Sequence, residues 1–302
     1  MTTLGVLHPG TMGAALAASA VRSGTRVVWA SHERSRATAI RAQAAGADDV
    51  GSMDALCADS DIVMSICPPA SAEAVAAEVA AAKFVGTYVD ANAISPGRMA
   101  AINDLLSANG SSVVDGAVFG PPPWKTGTSR IYLAGEAAAQ VAALFSQGPV
   151  QPIVLDGSIG SASALKMAYS ASQKGLTALT ALCIAMADRY GVEDLLATEW
   201  DRSEPGVTAT ARRRIAVAVP KAWRWIGEMQ EVADTALSAG LPDGFHRAAA
   251  EVYERWRAHK DPQGSRDAIV QDVGAVIREL SQDRGTSDAE VGDPGAGASV
   301  PQ

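Results

Sequence analysis

The sequence predicts an α/β domain built on a parallel sheet, then an all-helical domain, with one long helix joining them. Three observations predict it. Seven short apolar runs rich in β-forming residues alternate with alanine-rich runs through roughly the first 160 residues. Strands that are apolar throughout, rather than at every second position, are covered on both faces. After about residue 160 the strand signal stops, and residues 161–191 run with helical apolar spacing and no proline. That is long for a helix inside one globular domain.

The strands are expected at 3–7 (TLGVL), 26–31 (RVVWAS), 61–66 (DIVMSI), 86–91 (GTYVDA), 112–118 (SVVDGAV), 130–135 (RIYLAG) and 152–156 (PIVLD). The runs between them, 12–24, 36–46, 71–82, 96–110 and 136–148, are alanine-rich and read as helices packed on that sheet. Beyond the long helix, further helices are expected at 193–203, 207–239, 243–259 and 265–282, with Pro220 kinking or breaking the second of these. The expected division is a first domain over 1–160, a helical domain over 161–282, and a polar, acidic, Gly/Ser/Pro-rich tail over 283–302 that reads as disordered. There is no internal repeat.

Composition narrows the function. Apolar residues make up 48% of the chain, enough for a sizeable core, and the net charge is −8. An acidic chain argues against nucleic acid or an anionic membrane as the main partner. The three cysteines, Cys57, Cys67 and Cys183, lie far apart without metal-site or disulfide-framework spacing. No basic stretch leads a long apolar run near the start, and no segment reaches the ~18 uncharged apolar residues of a membrane span. A cytoplasmic protein without metal is expected.

Between the first strand and the first helix stands HPGTMG, residues 8–13. This nearly spells the glycine-x-glycine-x-x-glycine turn of dinucleotide-binding βαβ units. Gly10 would let backbone N–H groups approach a pyrophosphate, and Gly13 would let helix and strand pack closely. His8 takes the place of the first glycine, and Pro9 stiffens the next step; His8 is expected to keep a negative φ. His8, Pro9, Gly10, Thr11, Met12 and Gly13 are therefore candidate cofactor residues in a Rossmann-type domain. The end of the second strand separates NAD from NADP, because a carboxylate there would hold a ribose 2′-hydroxyl and repel a 2′-phosphate. Here it reads WASHERSRAT, with Ser31 at the strand end and Arg34 and Ser35 following. These are phosphate-binding types and favour NADP, with NAD the alternative. Glu33 is expected to face solvent.

Met12 after the glycine turn, VDANAISP (89–96), VVDGAVFGPPPWKTGTSRIYLAG (113–135) and GSIGSASALKMAYS (157–170) occur in an order that resembles the β-hydroxyacid dehydrogenase superfamily. That group includes 6-phosphogluconate and 3-hydroxyisobutyrate dehydrogenases, glyoxylate reductases and imine reductases. The stretch from Pro220 to Trp256 resembles a helical C-terminal domain of unassigned function attached to such NAD-binding domains.

The resemblance implies a catalytic lysine at the start of the interdomain helix, matched by Lys166, whose pKa burial would lower toward a useful range. It implies an asparagine four residues on, where this chain has Ser170. It implies an Asp-x-Ser-Thr motif, matched by Asp90 to Ala93, with Asn92 in place of a hydroxyl and able to bond nicotinamide or ribose. Cys67 and Pro68, after the third strand, are implied cofactor contacts. The superfamily's Ser-Gly-Gly carboxylate cradle falls on Phe119, Gly120 and Pro121. Phenylalanine cannot bond an anion and proline has no N–H, so the usual cradle is reduced. Trp124, Tyr169 and Trp225 are candidate substrate contacts, with Lys125, Trp223, Arg224 and Glu228 beside them. His246 reads as a packing or capping residue, and Met167, Met186 and Met229 as core.

These residues suit an NADP-dependent reductase or dehydrogenase acting on a carbonyl or hydroxyl compound that is bulkier or less acidic than the usual small hydroxyacid, or held by other groups. Imine reduction, with Tyr169 as an alternative donor, and a non-catalytic NADP-binding module are the competing readings. The apolar faces of the long helices imply a homodimer.

Overall fold

Residues 2–260 and 268–281 are described by a computed structural model of the chain. In the first half, β1 (Thr3–Leu7), α1 (Thr11–Arg22), β2 (Arg26–Trp29), α2 (Arg36–Ala44), β3 (Asp48–Asp49) and α3 (Met53–Asp59) lead to β4 (Ile62–Ser65). Then come α4 (Ala72–Ala81), β5 (Thr87–Asp90), α5 (Pro96–Ser107), β6 (Ser112–Phe119), β7 (Ser129–Ala134), α6 (Ala138–Ala143) and β8 (Val150–Val154). The eight strands form one sheet in the order β3-β2-β1-β4-β5-β6-β7-β8. All seven expected strands are present, and the two-residue β3 and the helix α3 are additional.

The sheet departs from the all-parallel expectation at one place. β7 runs antiparallel to β6, with Phe119 opposite Arg130. The connecting loop holds no helix, and a parallel pair would need a crossover of a dozen or more residues.

Side chains of successive strand residues point to opposite faces. On one face Leu4, Val6, Met64, Val89 and Val114 pack with Leu16, Ala17 and Ala20 of α1 and with Phe145. On the other, Leu7, Val63, Tyr88 and Val113 pack with Val75 and Val79 of α4 and Met99, Ile102 and Leu106 of α5. Fully burying one such side chain contributes roughly 1.5–3 kcal/mol.

The helical half begins with α7 (Ser161–Arg189), followed by α8 (Glu193–Ser203), α9 (Val207–Ala218), α10 (Ala222–Ser238), α11 (Gly244–Arg255) and α12 (Val273–Leu280). A 3-10 turn over Val219–Lys221 separates α9 from α10, so Pro220 breaks that stretch as expected. Met167, Ala181 and Ile184 of α7 form a second core with Ile215, Ile226, Met229, Tyr253, Trp256 and Ile277. The Trp256 indole donates to Val276 O at 2.8 Å and ties α12 down. The expected tail, 283–302, lies outside the described residues. Among the described residues, no helix is long and apolar enough to cross a membrane.

The sheet and the helices meet at the carboxyl ends of the strands. Glu231 of α10 is buried and accepts from Ser95 N at 2.8 Å, just before α5. It also pairs with Arg98, which in turn donates to Glu73 and Pro69 O. Ala93 packs against the helical core. This junction fixes one face of α10 against the crevice where the strand order reverses, the place where open α/β sheets bind ligands.

Candidate active site

At the first strand's end, α1 starts without a side-chain cap, and its N-cap is Gly10. Its first-turn N–H groups are unsatisfied and sit at the positive end of the helix dipole, which suits a phosphate. A Cβ on Gly13 would lie 2.9 Å from Ile66 Cγ2 and 3.2 Å from His8 O, so the close packing there needs glycine.

His8 corrects one expectation: its φ is +58°, not negative. It makes the turn in the left-handed region itself, and histidine is among the residues that tolerate that region best. Its Nδ1 is buried without a partner. Burial, then the nearby Arg34 charge, lowers its pKa to about 4, so the ring is neutral. Arg41 of α2 donates to Pro9 O at 3.4 Å and braces the turn, a support that the local sequence did not signal.

A cavity of about 340 Å³ opens beside this turn, lined in part by His8, Ala30, His32, Glu33, Arg34 and Glu78. It lies at the ends of β1 and β2, where the adenosine half of a dinucleotide would sit, and the free helix terminus and the glycine contact both fit such a group. Arg34 faces it with no carboxylate within 4 Å among the described residues. Glu33 is exposed as expected, but it also lines the cavity, in a left-handed conformation. Ser31 is half-buried at the strand end. Ser35 caps α2, its Oγ accepting from Thr38 N at 3.2 Å, so its first role is local.

Asn92 is 3% exposed, and its whole amide is engaged within the protein. Its Oδ1 accepts from Cys67 N at 2.6 Å, and its Nδ2 donates to Ser65 Oγ at 3.1 Å and Asp90 Oδ2 at 2.9 Å. Both amide hydrogens are thus committed within the protein, and the second lone pair of Oδ1 is what the side chain has left for a nicotinamide or ribose donor. Asn92 clamps the loops after β4 and β5 together and so positions Cys67 and Pro68 at the crevice. Asp90, also buried, accepts the Asn92 N–H at 2.9 Å. Burial raises its pKa to about 7, against the pull of the Asn92 hydrogen bonds. Burial likewise lifts the Cys67 thiol to about 11, so it is not a nucleophile.

Lys166 lies in the second turn of α7. Its Nζ donates to Val118 O of β6 at 2.8 Å and lies 4.9 Å from the centre of the Phe119 ring. Burial lowers its pKa to about 8. The helix that carries it is held by Asp115 of β6, a residue the sequence reading missed. Its carboxylate accepts from Ala162 N at 2.8 Å, Ser163 N at 3.0 Å and Ser163 Oγ at 2.7 Å. No local pattern could show this, because cap and helix are some 47 residues apart.

Ser170 is buried one turn after Lys166. Tyr169 is exposed, its ring 5.1 Å from Phe119 and edge-on to it. Phe119 is buried between Tyr169 and Tyr132. Gly120 turns the chain with φ +97°, and a Cβ there would meet Thr128 O at 2.3 Å. Pro121 O accepts from Ser129 Oγ. Trp124 and Lys125 stand exposed on the same loop.

On the helical side, Trp225 packs edge-on to Tyr253 and lies 5.2 Å from Lys174 Nζ. Lys174 pairs with Glu228. Trp223 is partly exposed beside Arg224 and Lys260. His246 packs against Gly175 of α7 and Phe245, as the packing reading had it. Met167 and Met229 are core, but Met186 is not: it is exposed on the outer side of α7. Its helical position matched the apolar stripe, and that stripe continues past the core onto the surface.

Residues 3–93 match the family described as NADP oxidoreductase, coenzyme F420-dependent, and residues 187–256 match a domain of unknown function, DUF1932. No curated protein matches the sequence. A conserved hypothetical protein from Sinorhizobium meliloti superimposes with a TM-score of 0.69 at 26% identity, over 93% of this chain and 97% of its own. The 3-hydroxyisobutyrate dehydrogenase of Mycobacterium tuberculosis, solved with L-serine, gives 0.68 at 19% identity over 93% and 100%. The reductive aminase of Aspergillus terreus, solved with NADPH and ethyl levulinate, gives 0.54 at 18% over 93% and 99%; at such identities these two likenesses speak for the fold. The chain is thus similar to an NADP oxidoreductase family over residues 3–93 and to DUF1932 over residues 187–256, in a fold shared with 3-hydroxyisobutyrate dehydrogenase.

Proposed function

We propose that the protein is an NADP-dependent reductase of carbonyl compounds, or in reverse a dehydrogenase of the corresponding alcohols, with Lys166 as proton donor and acceptor. The observation that carries the reading is the Lys166 ammonium, buried at the carboxyl end of β6 with a pKa brought down to about 8. A group that titrates near neutrality is matched to moving a proton in either direction. The dinucleotide, when bound, supplies or takes the hydride. The protein's part is to hold it along the α1 terminus and the Asn92 clamp, to exclude water with Phe119 and Tyr169, and to present the Lys166 proton to the substrate oxygen. Ser170, on the same side of α7, adds a hydroxyl to that oxygen's surroundings.

The Arg34 guanidinium supports NADP over NAD, since it faces the adenosine cavity without a carboxylate partner among the described residues. Fluorescence titration should show NADPH binding much more tightly than NADH. Arg34→Ala should weaken NADPH selectively by roughly 1.5–3 kcal/mol, the worth of one charge-assisted contact. Equal affinities for the two dinucleotides would end the assignment.

Imine reduction is the second reading. It is favoured by Phe119 in place of an anion-binding residue and by the exposed Tyr169 hydroxyl beside it. A homodimer is also part of the proposal. Leu176, Leu179, Leu182 and Met186 leave an exposed apolar row on α7, continuous with an apolar groove at Tyr190, Leu195 and Trp200. Light scattering should find twice the chain mass. Three free thiols support a reducing compartment, the cytoplasm.

A further inference from the structure

The first glycine of the dinucleotide turn is replaced here by a residue with chemistry of its own. His8 follows β1 in the left-handed region, φ +58°, two residues before the N-cap of α1. A side chain at that position fills space that a glycine leaves open. The His8 imidazole lines the cavity of about 340 Å³ at the ends of β1 and β2. Its Nδ1 is buried without a hydrogen-bond partner, so nothing in the protein fixes the ring's proton or replaces the water it has lost.

The groups around the ring suit an anion. Arg34, past β2, lines the same cavity, and its charge acts on the imidazole. Arg41 of α2 donates to Pro9 O at 3.4 Å, so a second guanidinium braces the residue after His8. The uncapped first turn of α1 adds free N–H groups at the positive end of its dipole. Three more titratable groups line the cavity: His32, Glu33 at 3.8 Å from it, and Glu78 of α4. All three are exposed to water, which screens them. Burial, then the Arg34 charge, keeps the free imidazole neutral, with its pKa lowered to about 4. A phosphate held at the α1 terminus reverses that balance. An anion beside His8 favours the imidazolium, and the added N–H gives it a charge-assisted bond.

We infer that the His8 imidazole binds a phosphate of the dinucleotide and takes up a proton from solvent as it does so, which makes cofactor affinity depend on pH through this one side chain. The inference rests on the NADP reading and deepens it: the residue that displaces the glycine becomes a ligand of the cofactor. The linkage has a definite sign. Free His8 loses its proton at about pH 4, and the bound phosphate raises that value. Binding therefore takes up protons between the two values, and affinity falls as pH rises through the upper one. The 2′-phosphate of NADP acts the other way. As a monoester it titrates near pH ~6, and a guanidinium beside it draws its proton off.

The test is calorimetric titration with NADP+ and with NAD+ at pH 6, in two buffers of different ionisation enthalpy, which counts the protons bound with each dinucleotide. His8→Asn keeps a residue suited to the left-handed turn, and His8→Gly restores the glycine, so both variants should fold. The unaltered protein should bind a substantial fraction of one proton more than either variant. Its Kd should rise several-fold from pH 6 to pH 8, and the variants should approach it in affinity at pH 8. An excess with both dinucleotides places His8 on the pyrophosphate, and an excess with NADP+ alone places it on the 2′-phosphate. His32→Gln should keep the excess; its loss there would assign the proton to His32 and overturn the inference. Equal proton counts in the unaltered protein and both His8 variants would also overturn it, while leaving the cofactor assignment intact. If neither dinucleotide binds, the cofactor reading fails, and the role of His8 falls with it.

Discussion

Lys166→Met should lower turnover by a factor of about 10²–10⁴, the usual worth of a positioned acid, while leaving NADPH affinity nearly unchanged. Methionine keeps roughly the length and helix preference of lysine and removes the charge and its donors. The cofactor's phosphates would sit at the α1 terminus, away from α7, which is why binding should survive. The same substitution should stabilise the fold. Lys166 has a folded pKa of about 8 against an ordinary value of 10.5. Between those values the unfolded chain binds more protons, so stability rises as pH climbs through that window. Below it, the buried ammonium costs up to about 3 kcal/mol, less the return from its bond to Val118 O. A melting temperature that rises as activity collapses is the signature of a group kept for function rather than stability. In the unaltered protein, kcat/KM for reduction should be flat below pH ~8 and fall above it, as the proton to be donated is lost.

Asp115→Ala should be the most damaging single change outside the cleft. It leaves the Ala162 and Ser163 N–H groups and the Ser163 hydroxyl without their acceptor, all in buried surroundings. Each orphaned donor costs ~1–3 kcal/mol, so chemical denaturation should show a loss of several kcal/mol. Asp115→Asn should recover part of it, since an amide oxygen still accepts. Burial holds the Asp115 carboxyl above its ordinary pKa, so the aspartate is kept for the helix terminus it caps rather than for a favourable charge of its own. Because the cap holds the turn that precedes Lys166, the folded fraction of Asp115→Asn should also lose turnover. Stability loss with full activity per folded molecule would separate the cap from the placement of Lys166.

The strands were legible because buried parallel strands are apolar throughout, and the helices between them because alanine-rich runs alternate with those strands. The antiparallel turn of β7 was legible too, in retrospect. Only GPPPWKTGT separates β6 from β7, too short for a crossover helix. At the site, local motifs carried what is local: the glycine turn, the Arg34 neighbourhood and the lysine of α7. They did not carry what is assembled from distant segments. Asp115 capping α7, Glu231 reaching Ser95, and Lys174 pairing with Glu228 each join residues tens of positions apart. His8 misled because a left-handed histidine and an extended one look alike in sequence. At Asn92 a family motif tells which residue stands at the crevice, not that Cys67, Ser65 and Asp90 share its hydrogen bonds. Met186 misled because helical spacing does not say where a core ends.

The most direct test of the proposed chemistry sets a panel of aldehydes and ketones against a panel of cyclic imines, each with NADPH, for the unaltered protein, Lys166→Met and Tyr169→Phe. Proton donation by Lys166 predicts reduction of members of the carbonyl panel, loss of that activity in Lys166→Met, and its retention in Tyr169→Phe. Turnover of imines alone, with Lys166→Met active and Tyr169→Phe dead, would contradict it and leave imine reduction in its place.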